Sequence, residues 1–260
     1  MYAYVLVIVL FLLLLCKDKN DLISKQYLPI YTSLTTIPER AENTEKVIQG
    51  LMKQTYPIEK IFLNIPVGTF KRTGSTYYVP EWTKKREYQD KLIVSRTPEY
   101  GPGTKLLGSL DFIPQDAYIY VVDDDRVYSP NHLKNLVSYL NSGVDVVSNG
   151  MCGLYTYVCG VTGFIVKRSI INDIVEYYNK VPDECRTVDD IWITAYLKHK
   201  HANVRKTNYL FNITFLFNML RDRFVIDKNS LFHTVNKDNV SIINFLTDNT
   251  KNSYCKRYLE

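Results

Sequence analysis

The stretch Ala117-Tyr-Ile-Tyr-Val-Val-Asp-Asp-Asp125 (AYIYVVDDD) decides how this chain is read. Its first six residues are apolar, aromatic and β-branched, the composition of a buried strand. Three carboxylates close that strand. Side by side they repel by about 1 kcal/mol or more per close pair even near water, so a positive charge belongs beside them. Their short, hard oxygen ligands suit Mg²⁺ or Mn²⁺, and Mg²⁺ is commonly shared between one or two carboxylates and the phosphates of a substrate. In open parallel sheets, ligands bind at the carboxyl ends of the strands, where this triplet falls. The other reading is a solvated acidic turn leading into a helix near Pro130. The triplet alone leaves both open.

Outward from it, strands and helices alternate. Tyr27 to Ser33 reads as a first strand. Pro38 and Glu39 open a helix to about Gln54, on which Val47, Ile48, Leu51 and Met52 share one face. Lys60 to Ile65 and Leu92 to Ser95 are the second and third strands. Between them, Val67 to Glu87 is a long loop rich in Gly, Pro, Thr and charge. Thr104 to Phe112 reads as a helix and Tyr118 to Val122 as the fourth strand. Leu133, Leu136, Val137 and Leu140 mark a further helix by their i, i+3, i+4, i+7 spacing. Val144 to Ser148 and Gly163 to Val166 look like strands, Ser169 to Asn179 and Asp189 to Lys200 like helices. The alternation predicts an α/β fold, a mainly parallel sheet with helices on both faces.

At 260 residues the chain is long enough for one large α/β domain, or two small ones, with a substantial core. No interdomain linker follows the polar stem at 18–26, which makes one domain the simpler reading. A net charge of +5 fits an anionic ligand or a membrane surface. With no basic recognition helix, zinc-finger spacing or aromatic RNA-binding signature, nucleic acid is not an expected partner. Tyr2 to Cys16 carries no charge, and as a helix it rises about 22 Å against a hydrocarbon layer of ~30 Å. A cleaved signal would want a basic start and a small-residue cleavage site, which are lacking. Uniform hydrophobicity at the terminus favours a single-pass membrane anchor over a core helix. The expected organisation is an anchor over residues 1–17, a polar stem over 18–26 and one domain over 27–260. Lys17, Lys19 and Lys25 follow the apolar segment and no Lys or Arg precedes it. The positive-inside rule would then keep the domain cytoplasmic, with orientation left open.

Beyond the anchor stand Cys152, Cys159, Cys185 and Cys255, with no recognisable framework. Four reduced thiols are expected, and a Cys152–Cys159 pair in an oxidising lumen is the alternative. Asn212-Ile-Thr and Asn239-Val-Ser match the glycosylation sequon, which matters only in a lumenal domain.

A strand followed by Asp-Asp-Asp in the middle of an α/β chain resembles the DxD motif of GT-A glycosyltransferases. Three more segments are similar to a virus- and microbe-associated, family 2-like branch of that superfamily. They are Ser33 to Arg40 (SLTTIPER), Tyr100 to Leu107 (YGPGTKLL) and Val188 to Thr194 (VDDIWIT). Together they span most of residues 28–200 in that family's order, and the last sixty residues match loosely. The resemblance implies a GT-A-like fold and a metal-dependent, inverting transfer of sugar from a nucleotide-sugar donor. The acceptor would be a hydroxyl of a glycan, protein or lipid.

By this resemblance Asp125 ligates Mn²⁺ or Mg²⁺ directly. Asp123 contacts the metal water or ribose, Asp124 lies between them on the donor side, and His233 is a candidate third ligand late in the chain. Thr35, Thr36 and Arg40 would meet nucleotide or phosphate, though Thr36 before Pro38 also reads as an ordinary helix start. Lys105 would be a point charge for the diphosphate, or else a solvated lysine beside a turn. Asp189 and Asp190 open a helix, where carboxylates complement the dipole. An inverting enzyme also needs a base there, Asp190 first and Asp189 second. Trp192 reads as core before acceptor wall, and His199 and His201 as complements to a helix end. After the second strand, Asn64 to Gly68 (NIPVG) lacks the carboxylate that commonly contacts the base, so base identity is not implied. Two rivals stand beside this reading: a nucleotidyltransferase, and a catalytically inactive, membrane-anchored binding protein of the same fold.

Overall fold

The strand before the acidic triplet lies inside one sheet in the computed structural model, which describes residues 27–149 and 157–207 together with Cys255. Its strands, among the described residues, are β1 (Ile30–Thr35), β2 (Ile61–Pro66), β3 (Leu92–Thr97), β4 (Tyr118–Val121), β5 (Val146–Asn149), β6 (Phe164–Lys167) and β7 (Val204–Thr207). They are ordered β3-β2-β1-β4-β6-β5-β7. β1 runs parallel to β2 and β4, β2 to β3, and β5 to β7. β6 is antiparallel to both β4 and β5. The sheet is therefore mainly parallel, as the alternation predicts, with one reversed strand between β4 and β5.

The pleat sends alternate side chains to opposite faces and builds two cores. Ile61, Leu63 and Ile65 of β2 join Tyr120 and Val122 on one face, where Val47, Ile48 and Leu51 of α1 (Thr44–Met52) and Leu133 and Leu136 of α3 (His132–Val137) cover them. Phe62, Ile119, Val121, Phe164 and Val166 face the other way, against α2 (Thr104–Leu107), α4 (Ile174–Lys180) and α6 (Asp189–His199). Each such side chain, once buried, contributes about 1.5–3 kcal/mol. Trp192 lies in this second core, 1% exposed.

Several boundaries differ from the sequence reading. Pro38–Arg40 is a separate 3₁₀ turn and α1 begins only at Thr44. The expected helix from Thr104 to Phe112 stops at Leu107, before Gly108, and resumes as a 3₁₀ turn at Leu110–Phe112. β7 and the short α5 (Asp183–Arg186) were not anticipated. β7 has one fully buried residue, so it carries little of the apolar signal that betrays a strand.

Four reduced thiols is a reading the structure corrects. Cys185 of α5 and Cys255 form a disulfide, with Cα atoms 5.6 Å apart and 70 residues between them in sequence. Both are buried in the second core, where folding alone brings them together. The alternative partner Cys152 lies outside the described residues, as do the apolar segment Tyr2–Cys16, Asn212, Asn239 and His233. Among the described residues no helix is long and apolar enough to cross a membrane.

Candidate active site

Parallel pairing between β1 and β4 sets the first half of the site. Ser33 lies opposite Val121, so three residues further on Thr36 comes opposite Asp124. Thr36 Oγ1 donates to Asp124 Oδ2 at 2.6 Å, and Arg40, from the 3₁₀ turn, reaches Asp124 Oδ1 at 3.0 Å. The same guanidinium donates through Nη1 to Asp125 Oδ2 at 2.7 Å. Asp124 is 4% exposed, whereas Asp125 stands on the open side. Burial, opposed by Arg40 and reinforced by the charge of Asp125, pushes the Asp124 carboxyl up to about 6. Thr35 is half-buried and its hydroxyl donates to Asn64 O at 2.7 Å. The two threonines thus bind the protein itself, and Arg40 is the countercharge the acidic triplet called for.

A second cation serves the other end of the triplet. Lys105 Nζ donates to Asp123 Oδ1 at 2.5 Å and lies 2.9 Å from Asp189 Oδ2. The second contact is an ion pair without aligned hydrogen-bond geometry. Lys105 is buried, which excludes the solvated lysine of the sequence reading. Burial alone would lower its pKa. The charges of Asp123, Asp189 and Asp190 outweigh that and hold the ammonium protonated well above the usual lysine range.

A buried polar cradle fixes α2 so that Lys105 reaches this place. Ser33 Oγ donates to Lys105 O at 2.5 Å, accepts from Asn64 Nδ2 at 2.9 Å and lies 2.7 Å from Ser109 Oγ. Gly108 lets α2 approach, since a Cβ there would lie 2.8 Å from Asn64 Cβ.

Asp189 and Asp190 open α6 on the same side. Asp190 Oδ1 accepts from Gly160 N–H at 3.0 Å, and burial, then the charge of Asp189, push its carboxyl well above the usual range against the pull of Lys105. Sequence reasoning missed Gly160 and Tyr128. Tyr128 Oη donates to Gly160 O at 3.1 Å and accepts from Asp123 N–H at 3.2 Å. Asp123 and Asp190 are thereby tied through one glycine. Two closely spaced glycines before a strand, Gly160-Val-Thr-Gly163, were the available signal. Asp123, Asp124, Asp125, Asp189, Asp190, Arg40, Lys105, Thr35 and Thr36 all gather at the carboxyl ends of β1 and β4. His199 stacks on Tyr177 at the far end of α6.

Among the described residues no three or more His, Cys, Asp and Glu side chains converge to hold a metal. Asp123 and Asp125 each give one oxygen to a cation; Arg40 and Lys105 directly contact four of the five carboxylates, and the fifth, Asp190, accepts from Gly160 N–H. That surplus of negative charge fits Mg²⁺ or Mn²⁺ bound by one or two carboxylates together with substrate phosphates, not a cage of protein ligands.

Fold and site together describe a GT-A-like α/β protein with an acidic site at the sheet's carboxyl edge. No protein-family model matches the sequence, and no curated protein does. Among solved structures, the chain is similar to the mannosyltransferase PcManGT from Pyrobaculum calidifontis in complex with GDP-Man and Mn²⁺. That match has a TM-score of 0.52 at 14% identity and covers 94% of this chain and 76% of that one. It is also similar to S. aureus TarS (TM-score 0.49, 15% identity, 70% of this chain and 35% of that one). A third is 4-diphosphocytidyl-2C-methyl-D-erythritol synthase from Anaerococcus prevotii (TM-score 0.48, 10% identity, 75% and 100%). At these identities the mannosyltransferase match establishes the fold alone.

Proposed function

We propose that this protein is a metal-dependent glycosyltransferase that moves a sugar from a nucleotide-sugar donor to an acceptor hydroxyl, with inversion. One observation carries the reading: Asp123 at the end of β4 and Asp189 at the start of α6 converge on a single ammonium. Donor-side and acceptor-side carboxylates are thus brought within one side chain of each other, as a displacement at one sugar carbon requires. The complex of the mannosyltransferase neighbour with GDP-Man and Mn²⁺ supports the ligand class.

In this reading Asp123 and Asp125 would hold Mn²⁺ or Mg²⁺, with His233 a further candidate ligand. When bound, the ion supplies Lewis-acid stabilisation of the departing diphosphate. Arg40 steadies Asp124 and Asp125 and places positive charge at the mouth. Asp190 takes the proton of the attacking hydroxyl, and burial, by raising its carboxyl, makes its ionised form the stronger base. Gly160 N–H holds that carboxylate in one orientation.

The domain of residues 27–260 would be carried on the anchor of residues 1–17 through the stem of 18–26. Lys17, Lys19 and Lys25 argue for the cytoplasmic side, and the Cys185–Cys255 disulfide argues against it. The disulfide favours an oxidising compartment, because cytosolic thiols are kept reduced whatever the charge of a stem.

Incubation with Mn²⁺ and a panel of nucleotide sugars tests the assignment. The expected product is free nucleoside diphosphate with transferred sugar, lost in Asp125→Ala at unchanged thermal midpoint. Release of pyrophosphate would indicate nucleotidyl transfer instead. Binding without turnover would indicate an inactive relative.

A further inference from the structure

We propose that Lys105 is a positioning residue: its ammonium is the strut that locks the donor-side carboxylate Asp123 to the acceptor-side carboxylate Asp189, and it does not contact the substrate diphosphate. The inference rests on the sugar-transfer reading and assigns Lys105 a different task from the one its sequence context implies. Three observations support it. Nζ is engaged on both sides, at 2.5 and 2.9 Å, by carboxylates from separate elements. The side chain is 8% exposed, so a phosphate would have to displace one carboxylate to reach it.

The third observation is the fit of its surroundings. Lys105 O is pinned by Ser33 Oγ at 2.5 Å, so α2 holds the lysine from below. Above it Gly160 closes the slot: a Cβ there would lie 2.2 Å from Lys105 Nζ and 2.6 Å from Asp123 Oδ1. A Cβ at this position would push the ammonium or the Asp123 carboxylate out of its present place. Gly160 also donates to Asp190 Oδ1, so the strut and the candidate base share one backbone support. A lysine that displays its charge to a ligand needs no such enclosure. One that fixes two like-charged groups at a set distance does, because either carboxylate would otherwise turn away from the other.

The two roles separate in kinetics and in binding. Lys105→Met is expected to lower kcat by roughly 100-fold or more, a loss of positioning. Its KM for the donor, and its calorimetric affinity for nucleoside diphosphate with Mn²⁺, should stay within about threefold of wild type. Asp189→Asn combined with Lys105→Met should be no worse than the poorer single variant, since both break the same strut. Gly160→Ala keeps the lysine but crowds its ammonium and should reproduce the kcat loss with binding retained. A tenfold or greater loss of nucleoside diphosphate affinity in Lys105→Met, or multiplicative losses in the double variant, would overturn the proposal and return Lys105 to the diphosphate. Full activity of Gly160→Ala would also overturn it. A wild-type protein that transfers no sugar sinks the enzyme reading, and the strut's catalytic role with it. A transferring wild type with failed variant predictions sinks the strut alone.

Discussion

Replacing Asp124 by asparagine should change how stability depends on pH, and the size follows from where that carboxylate sits. It is 4% exposed and accepts from Thr36 and Arg40, yet burial still raises it from an ordinary value near 3.8 to about 6. The folded protein therefore holds this proton more tightly than the unfolded chain. Stability from this group is complete below pH ~4 and is lost as pH rises through about 6, because in that window the native state binds more protons. Roughly two pH units at 1.36 kcal/mol each amount to about 3 kcal/mol, and near-complete burial leaves little for solvent to screen. Asparagine has the same shape and no charge. It can still accept from Arg40, and its amide can donate to Thr36 Oγ1, whose own proton can turn to Thr44 Oγ1, 2.9 Å away. Other acids titrate in both proteins, so the difference isolates this one. Urea unfolding of both proteins in metal-free buffer, from pH 4 to pH 8, measures it. The variant should gain about 2–3 kcal/mol relative to wild type across that range. Parallel curves, or a variant that loses ground as pH rises, would refute the claim that desolvation dominates at Asp124.

Further outcomes can be checked alongside. Asp190→Asn should keep nucleotide and Mn²⁺ binding by calorimetry while transfer falls by roughly 10²–10⁴, the usual share of a positioned base; unchanged kcat would move the base elsewhere. Cys185→Ser should lower the urea-unfolding free energy by up to about 4 kcal/mol, since the bridge closes a loop of 70 residues in the denatured chain. Non-reducing peptide mapping should recover a linked Cys185–Cys255 pair. Tyr128→Phe removes the acceptor of the Asp123 amide, while the Gly160 carbonyl keeps Gly163 N–H, and should cost about 1–3 kcal/mol in the same unfolding assay.

The fold was largely legible because its signals are local. Val47, Ile48 and Leu51 declare one helical face, and Ile119 to Val122 declares a strand buried on both sides. Misreadings fell where local signal is weak or ambiguous. β7, Val204 to Thr207, alternates too little apolar surface, and Gly108 ends a helix that leucines on either side would continue. In the site, the types of residue were legible and their partners were not. In sequence Lys105 reads as a diphosphate charge or a solvated lysine, and Gly160 with Gly163 marks a turn without saying which carboxylates it joins.

From its own chemistry the sequence settled that an apolar strand ends in three repelling carboxylates and that strands and helices alternate around it. Those properties depend on neighbours along the chain. The reversed β6, the Cys185–Cys255 bridge and the seat of Lys105 between Asp123 and Asp189 were decided by the tertiary structure. An ion pair or a cross-link depends on which distant groups the packed core brings within a few ångströms, and no run of consecutive residues encodes that distance.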